Sequence, residues 1–129
     1  MSKVYITKRF TFEACHRLDK YAGKCSNLHG HSYKLEVTIS GNVNKNKRFV
    51  MDFADLKGIV HALIISSHDH NYLNNLYVEP TAEHMAVGIF NQIDKVIQED
   101  NLLNADLETK LESVKLWETE DSYAEYRGE

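Results

Sequence analysis

Three histidines define the chemistry open to this chain. His29 and His31 stand in Cys25-Ser26-Asn27-Leu28-His29-Gly30-His31, and His16 closes Phe12-Glu13-Ala14-Cys15-His16. Zinc held by three protein nitrogens keeps a fourth position for water or substrate, which is the arrangement of a catalytic rather than a structural site. The Cys25 thiol lies beside two of these imidazoles and is not needed as a ligand. A nearby cation favours its thiolate, so it is a candidate base or nucleophile. Cys15 adjoins His16, and in an extended chain it points to the other side. It is therefore a poor ligand to the same ion and is expected as a small buried residue.

Two further groups carry chemistry. His68-Asp69-His70 is a second His-x-His pair and competes for the metal. Alternatively, Asp69 orients an imidazole and supports its charged form, which suits proton transfer; spacing leaves both readings open. Glu118, in Leu116-Trp117-Glu118-Thr119, shares parity with Val114 and Leu116 and is expected to be buried on that inner face. A buried carboxylate needs donors, and a bound heterocycle with two parallel N–H groups would supply them.

These residues need strands and helices to place them. From Val4 to His16, Ile6, Phe10, Phe12, Ala14 and His16 share one parity, as in a strand. From His29 to Val43, the residues His29, His31, Tyr33, Leu35, Val37 and Ile39 share one side, so both histidines point with the apolar row. A turn around 41–47 is followed by helical spacing in Leu56, Ile59, Val60, Leu63, Ile64 and Ser67, with Asp52 and Asp55 at its start. The helix is expected over about 54–67, and 68–79 reads as a polar loop. Pro80-Thr81-Ala82-Glu83 begins a second helix, whose apolar stripe is Ala82, Met85, Ala86, Ile89, Phe90, Ile93 and Val96. Strands over 110–119 and 123–127 close the chain. The expected fold is α+β, one domain over 1–129, with an antiparallel four-stranded sheet, two helices on one face and the order ββααββ.

At 129 residues with 43% hydrophobic content, one core is affordable. The net charge of −4 argues against a nucleic-acid surface, which leans on clustered Lys and Arg. Neither a bilayer-spanning apolar window nor the apolar core of a signal peptide is present, so a cytoplasmic protein with no membrane partner and two free thiols is expected.

Read together, these blocks resemble one family. They are Phe12-Glu13-Ala14-Cys15-His16, Cys25-x3-His29-Gly30-His31-Ser32-Tyr33, Met51-Asp52-Phe53 before Leu56-Lys57, Asp69-His70 before Leu73-Asn74, Pro80-Thr81-x-Glu83 and Leu116-Trp117-Glu118-Thr119. In this order they resemble the 6-pyruvoyl-tetrahydropterin synthase family, and the three-residue gap after Cys25 is similar to its bacterial, carboxy-forming branch of queuosine biosynthesis. The resemblance implies a tunnelling fold whose subunits pool strands into a barrel, a homohexamer of two trimers, and active sites at subunit interfaces. It implies conversion of 7,8-dihydroneopterin triphosphate to 6-carboxy-tetrahydropterin, acetaldehyde and triphosphate by a zinc-dependent lyase. By position it gives His16, His29 and His31 to zinc and makes Cys25 the proton acceptor. Asp69 and His70 assist proton transfer, Glu118 anchors the pterin and joins the relay, and Thr81 and Glu83 line the pterin pocket. With no glycine-rich phosphate loop, the triphosphate is left to basic side chains such as Arg17, Lys20 or Lys24. The competing readings are a true 6-pyruvoyl-tetrahydropterin synthase, which keeps the three-carbon side chain, and a non-catalytic zinc-binding or pterin-binding module.

Overall fold

The two long N-terminal segments pair along their whole length, because each buries one parity and leaves the other wet. In the computed structural model, which describes residues 1–19, 23, 26–99 and 108–129, β1 (Ser2–His16) runs antiparallel to β2 (His29–Val43), with His16 opposite His29 and Ala14 opposite His31. Cys25, Lys20, Lys24 and the residues connecting the second helix to the next strand lie outside the described residues. Phe10, Phe12 and Ala14 of β1 and Tyr33, Leu35, Val37 and Ile39 of β2 are buried on the inner face. Phe12 stacks on Tyr33 across the pair, with centroids 4.9 Å apart and planes 11° apart. The outer face is polar, with Thr7 bonded to Thr38 and Arg9 to Glu36.

β4 (Lys110–Thr119) adds antiparallel to β2, and β5 (Ser122–Tyr126) to β4. Helix α1 (Phe53–Val60), capped by the Asp52 carboxylate on the Ala54 amide, and helix α2 (Ala82–Glu99) cover the inner face. Leu56, Val60 and Ile64 from the first helical segment, and Met85, Ala86, Ile89, Phe90, Ile93 and Ile97 from α2, join Leu111, Val114 and Leu116 in one core. No described helix is long and apolar enough to cross a membrane.

The sheet differs from the expected four antiparallel strands. It has five strands in the order β3-β1-β2-β4-β5, and β3 (Asn71–Tyr72) lies parallel to β1 at Ala14 and Cys15. The chain order is therefore ββαβαββ. A two-residue strand has no alternation to read, and tertiary pairing alone creates it. The expected polar loop over 68–79 thus holds a strand, a 3₁₀ turn (Leu73–Asn75) and two fully buried side chains, His68 and Leu73.

The first helix departs from regular spacing for a visible reason. After α1 the chain makes a π-helical turn (His61–Ile65) and one last α-helical turn (Ser66–His68). Leu56, Val60, Ile64 and His68, each four residues on, are all buried. At 3.6 residues per turn each such step would drift by about 40°; the wider turn reduces the drift and carries His68 into the core. In α2 the inward residue of the last turns is Ile97, with Val96 half-buried.

His68 is a core residue and no competitor for a metal. Its Nδ1 donates to the Ile64 carbonyl at 2.8 Å, which leaves Nε2 to accept from the Tyr77 hydroxyl at 2.6 Å. Burial holds its pKa below the ordinary histidine value, against the opposing pull of the Ile64 carbonyl. The neutral form is therefore favoured by folding, and its stabilisation is complete above the unfolded pKa of about 6.5. As pH falls below that value the unfolded chain takes up the proton first, and stability drops until the folded pKa is passed. Urea denaturation at pH 7.5 and 5.5 is expected to show this fall, and a smaller one in His68→Gln, whose amide does not titrate. Tyr77→Phe strands Nε2 and costs about 1–2 kcal/mol at pH 7.5.

Candidate functional site

The ends of β1 and β2 bring three imidazoles together. His16 and His29 are direct cross-strand neighbours and His31 is diagonal to His16, so one candidate ligand nitrogen from each lies within 4.8 Å of the others. Two of the rings have fixed tautomers. His16 Nδ1 lies 2.8 Å from the Pro80 carbonyl and His29 Nδ1 lies 2.7 Å from the Asn27 carbonyl. A carbonyl only accepts, so both Nδ1 atoms donate and both Nε2 atoms carry lone pairs.

Those lone pairs face each other, with His16 Nε2 2.9 Å from His29 Nε2. His31 Nε2 is buried with no hydrogen-bond partner. Two inward acceptors facing each other, beside a third imidazole nitrogen without a partner, are unfavourable by themselves and fit a metal cation. The backbone carbonyls behind His16 and His29 fix their ring orientation, as outer partners of metal-bound histidines do. Burial lowers the His31 pKa; Glu118 opposes this and the other two histidines add to it. The ring thus stays neutral and able to ligate. Tyr33, buried beneath the cluster, places its hydroxyl 3.4 Å from His16 Nδ1. Burial pushes its pKa up, helped by the charge of Glu118, so the phenol keeps its proton. Its parity with His29 and His31 was the signal that could have marked it as a site residue.

Glu118 reaches this cluster, with Oε1 3.7 Å from His31 Nε2. It is half-buried rather than buried as expected. The β4–β5 register shifts between Trp117 and Thr119, leaving Glu118 as the extra residue of a bulge at the strand end. A bulge re-aims its side chain, and here the carboxylate stands beside the open side of the triad.

Asp69 and His70 form a second group, on the β3 edge. Glu13 clamps both: its N–H donates to Asp69 Oδ1 at 2.9 Å, and its carbonyl accepts from the His70 N–H at 2.5 Å. His70 Nδ1 lies 3.1 Å from Asp69 Oδ2. The Glu13 amide, more than His70, holds the Asp69 carboxyl below its ordinary range against partial desolvation, so it is ionised beside the His70 ring. His70 has φ of 58°, a left-handed conformation that costs energy in a non-glycine residue and is sustained by the clamp. Its side chain is 78% exposed over a cleft of about 410 Å³ lined also by Glu13, Ala14, Cys15, Ser32 and Asn71 and reached by His31 of the triad. Glu13, Cys15 and Ser32 belong to the outward parity, opposite to that of the triad. Among the described residues no hydrogen bond or ion pair joins Asp69 or His70 to the three imidazoles.

The start of α2 abuts the cluster through Pro80. Thr81 Oγ1 accepts from the His84 amide at 3.2 Å and so caps the helix, while Glu83 is exposed in the first turn. Cys15 is half-buried on the outward side, where its Sγ points at the Asn71 carbonyl 3.8 Å away.

Comparison with known proteins identifies relatives of this arrangement. The profile described as 6-pyruvoyl tetrahydropterin synthase matches residues 5–129. The chain is 36% identical to the 6-carboxy-5,6,7,8-tetrahydropterin synthase of Haemophilus influenzae, across 95% of this chain and 97% of that protein. It is 33% identical to the 6-pyruvoyl tetrahydrobiopterin synthase of Dictyostelium discoideum, across 98% and 97%. The solved 6-pyruvoyl tetrahydropterin synthase of Caenorhabditis elegans superposes with a TM-score of 0.82 at 27% identity, covering 100% of this chain and 98% of that one.

Proposed function

This chain belongs to the 6-pyruvoyl tetrahydropterin synthase family of enzymes, and on that premise we propose that it is a zinc-dependent lyase of queuosine biosynthesis. It takes 7,8-dihydroneopterin triphosphate and water to 6-carboxy-5,6,7,8-tetrahydropterin, acetaldehyde and triphosphate. The observation that carries the reading is the convergence of three metal-competent imidazole nitrogens beside the Glu118 carboxylate. The gap of three residues between Cys25 and His29, and 36% identity to a carboxy-forming relative, favour this outcome over a pyruvoyl product.

The roles proposed are those the family resemblance implies for these positions. His16, His29 and His31 hold zinc, which supplies Lewis-acid polarisation of the substrate's side-chain oxygens. Cys25 removes a proton from that side chain. His70, oriented by Asp69, donates the proton that the leaving side needs. Glu118 accepts two parallel hydrogen bonds from the ring N–H and exocyclic amine of the pterin, which fixes the ring's register. Thr81 and Glu83, next to the Pro80 carbonyl that orients His16, close the pterin pocket.

A homo-oligomer completes the site in this reading. Asp69 and His70 open on a cleft that His31 also lines, and in this reading a neighbouring copy closes it. Two sheet edges allow such assembly. β3 covers β1 only at Ala14 and Cys15, and the outer edge of β5 has no strand among the described residues. Strand pairing between copies along those edges gives the barrel, and two trimers give a hexamer.

Product analysis tests the proposal. Zinc-loaded protein given 7,8-dihydroneopterin triphosphate is expected to release acetaldehyde in step with triphosphate. Triphosphate without acetaldehyde would identify a pyruvoyl-forming enzyme, and release of neither would leave a zinc-binding or pterin-binding module.

A further inference from the structure

β1 ends at His16, and the peptide that follows it is held by a side chain. The Arg17 N–H donates to Asn74 Oδ1 at 2.9 Å, and Asn74 Nδ2 donates back to the Arg17 carbonyl at 2.8 Å. β3 pairs with β1 no further than Cys15, so the Asn74 amide supplies the donor and acceptor that a continuing strand would have offered. Asn74 is itself fixed in the 3₁₀ turn behind the fully buried Leu73.

Arg17 passes this restraint on. Its Nε donates to the Ser26 carbonyl at 3.0 Å and lies 3.2 Å from Asp19 Oδ1. Ser26 precedes Asn27, whose carbonyl receives the His29 Nδ1–H. The side chain offered by the sequence for the triphosphate therefore has its Nε committed to the loop that orients a metal ligand. On one side Arg17 follows His16 directly, and on the other it grips the segment that aims His29.

We infer that Arg17 and Asn74 form a clasp of positioning residues that sets the metal affinity of the His16, His29 and His31 centre. The inference rests on the metal-centre reading above. Without the clasp, His16 and His29 lose their common anchor, and their Nε2 atoms no longer stand converged before the ion arrives. Partners of this outer kind affect metal affinity by about 10- to 100-fold.

Zinc affinity of the full-length chain, measured by competition with a chromogenic chelator, is the direct test. Asn74→Ala is expected to bind zinc about 10- to 100-fold more weakly. Asn74→Asp, which keeps an acceptor for the Arg17 amide, is expected to recover part of that loss. Arg17→Lys keeps the Asn74 clasp and a positive charge near Asp19 but loses the directed Nε bond. It is expected to weaken zinc binding several-fold and to shift the visible bands of the cobalt(II) form, and it serves as the readout if Asn74→Ala fails to fold. Parental zinc affinity in both Asn74→Ala and Arg17→Lys, even with a lowered melting temperature, would overturn the clasp as a positioning device. His29→Ala separates the two ideas. Parental zinc affinity there would overturn the metal centre itself, whereas loss there with parental affinity in the clasp variants overturns only the clasp.

Discussion

His29→Ala is expected to empty the metal centre: zinc by elemental analysis falls from one ion per chain to a trace, and turnover falls with it. The ring removed is the one whose Nε2 faces His16 Nε2 at 2.9 Å and whose Nδ1 is already committed to Asn27. Two imidazoles remain, and two ligands hold a divalent ion far more weakly than three. Losing the several kcal/mol that a Lewis acid contributes to the transition state slows turnover by about a thousandfold or more. The fold is expected to survive, because His29 is half-buried at a strand end and removing it relieves two opposed lone pairs. The contrasting variant is His68→Ala. That side chain sits 1% exposed between Ile64 and Tyr77, so its loss lowers stability and leaves the zinc content of the folded fraction unchanged. Unchanged zinc in His29→Ala would undo the assignment of the ion to these three histidines.

The contrast between those two histidine pairs shows what could be read from the chain. β1 and β2 alternate over many residues, so parity alone places His16, His29, His31 and the core beside them correctly. Where one irregular residue intervenes, parity fails. The bulge at Glu118 turns an expected buried carboxylate into a half-exposed one, and a second bulge opposite Thr38 and Ile39 lets Leu111 and Val114 both face inward. The π-helical turn after Val60 does the same to helical spacing and hides the burial of His68. β3 and the clamp from Glu13 to Asp69 and His70 depend on contacts 56 or 57 residues apart, for which no local pattern exists. The resemblance implies roles for residues along the chain, while the structure places Asp69 and His70 on a cleft that His31 also lines.

That same parity argues against Cys15 as the reacting thiol. Cys25→Ala is expected to lower turnover by about 10²- to 10⁴-fold, the usual contribution of a positioned general base, while zinc stays bound because three histidines already complete the protein's ligand set. Cys15→Ala is expected to change turnover less than about twofold, because its Sγ lies on the outward side against the Asn71 carbonyl and a thiol is a weak donor there. Gly30 stands opposite Cys15 across the strand pair and offers no side chain for the thiol to act on or be activated by. Cys25, by contrast, is covalently next to Ser26, whose carbonyl Arg17 grips, and four residues before His29. In the proposed site a cation held by those histidines would favour the thiolate of a cysteine so near them in sequence. The measurements are the turnover number and zinc stoichiometry of each variant. An inactive Cys15→Ala beside an active Cys25→Ala would move the base to the outward cleft, next to His70, and would require proton abstraction there rather than at the metal.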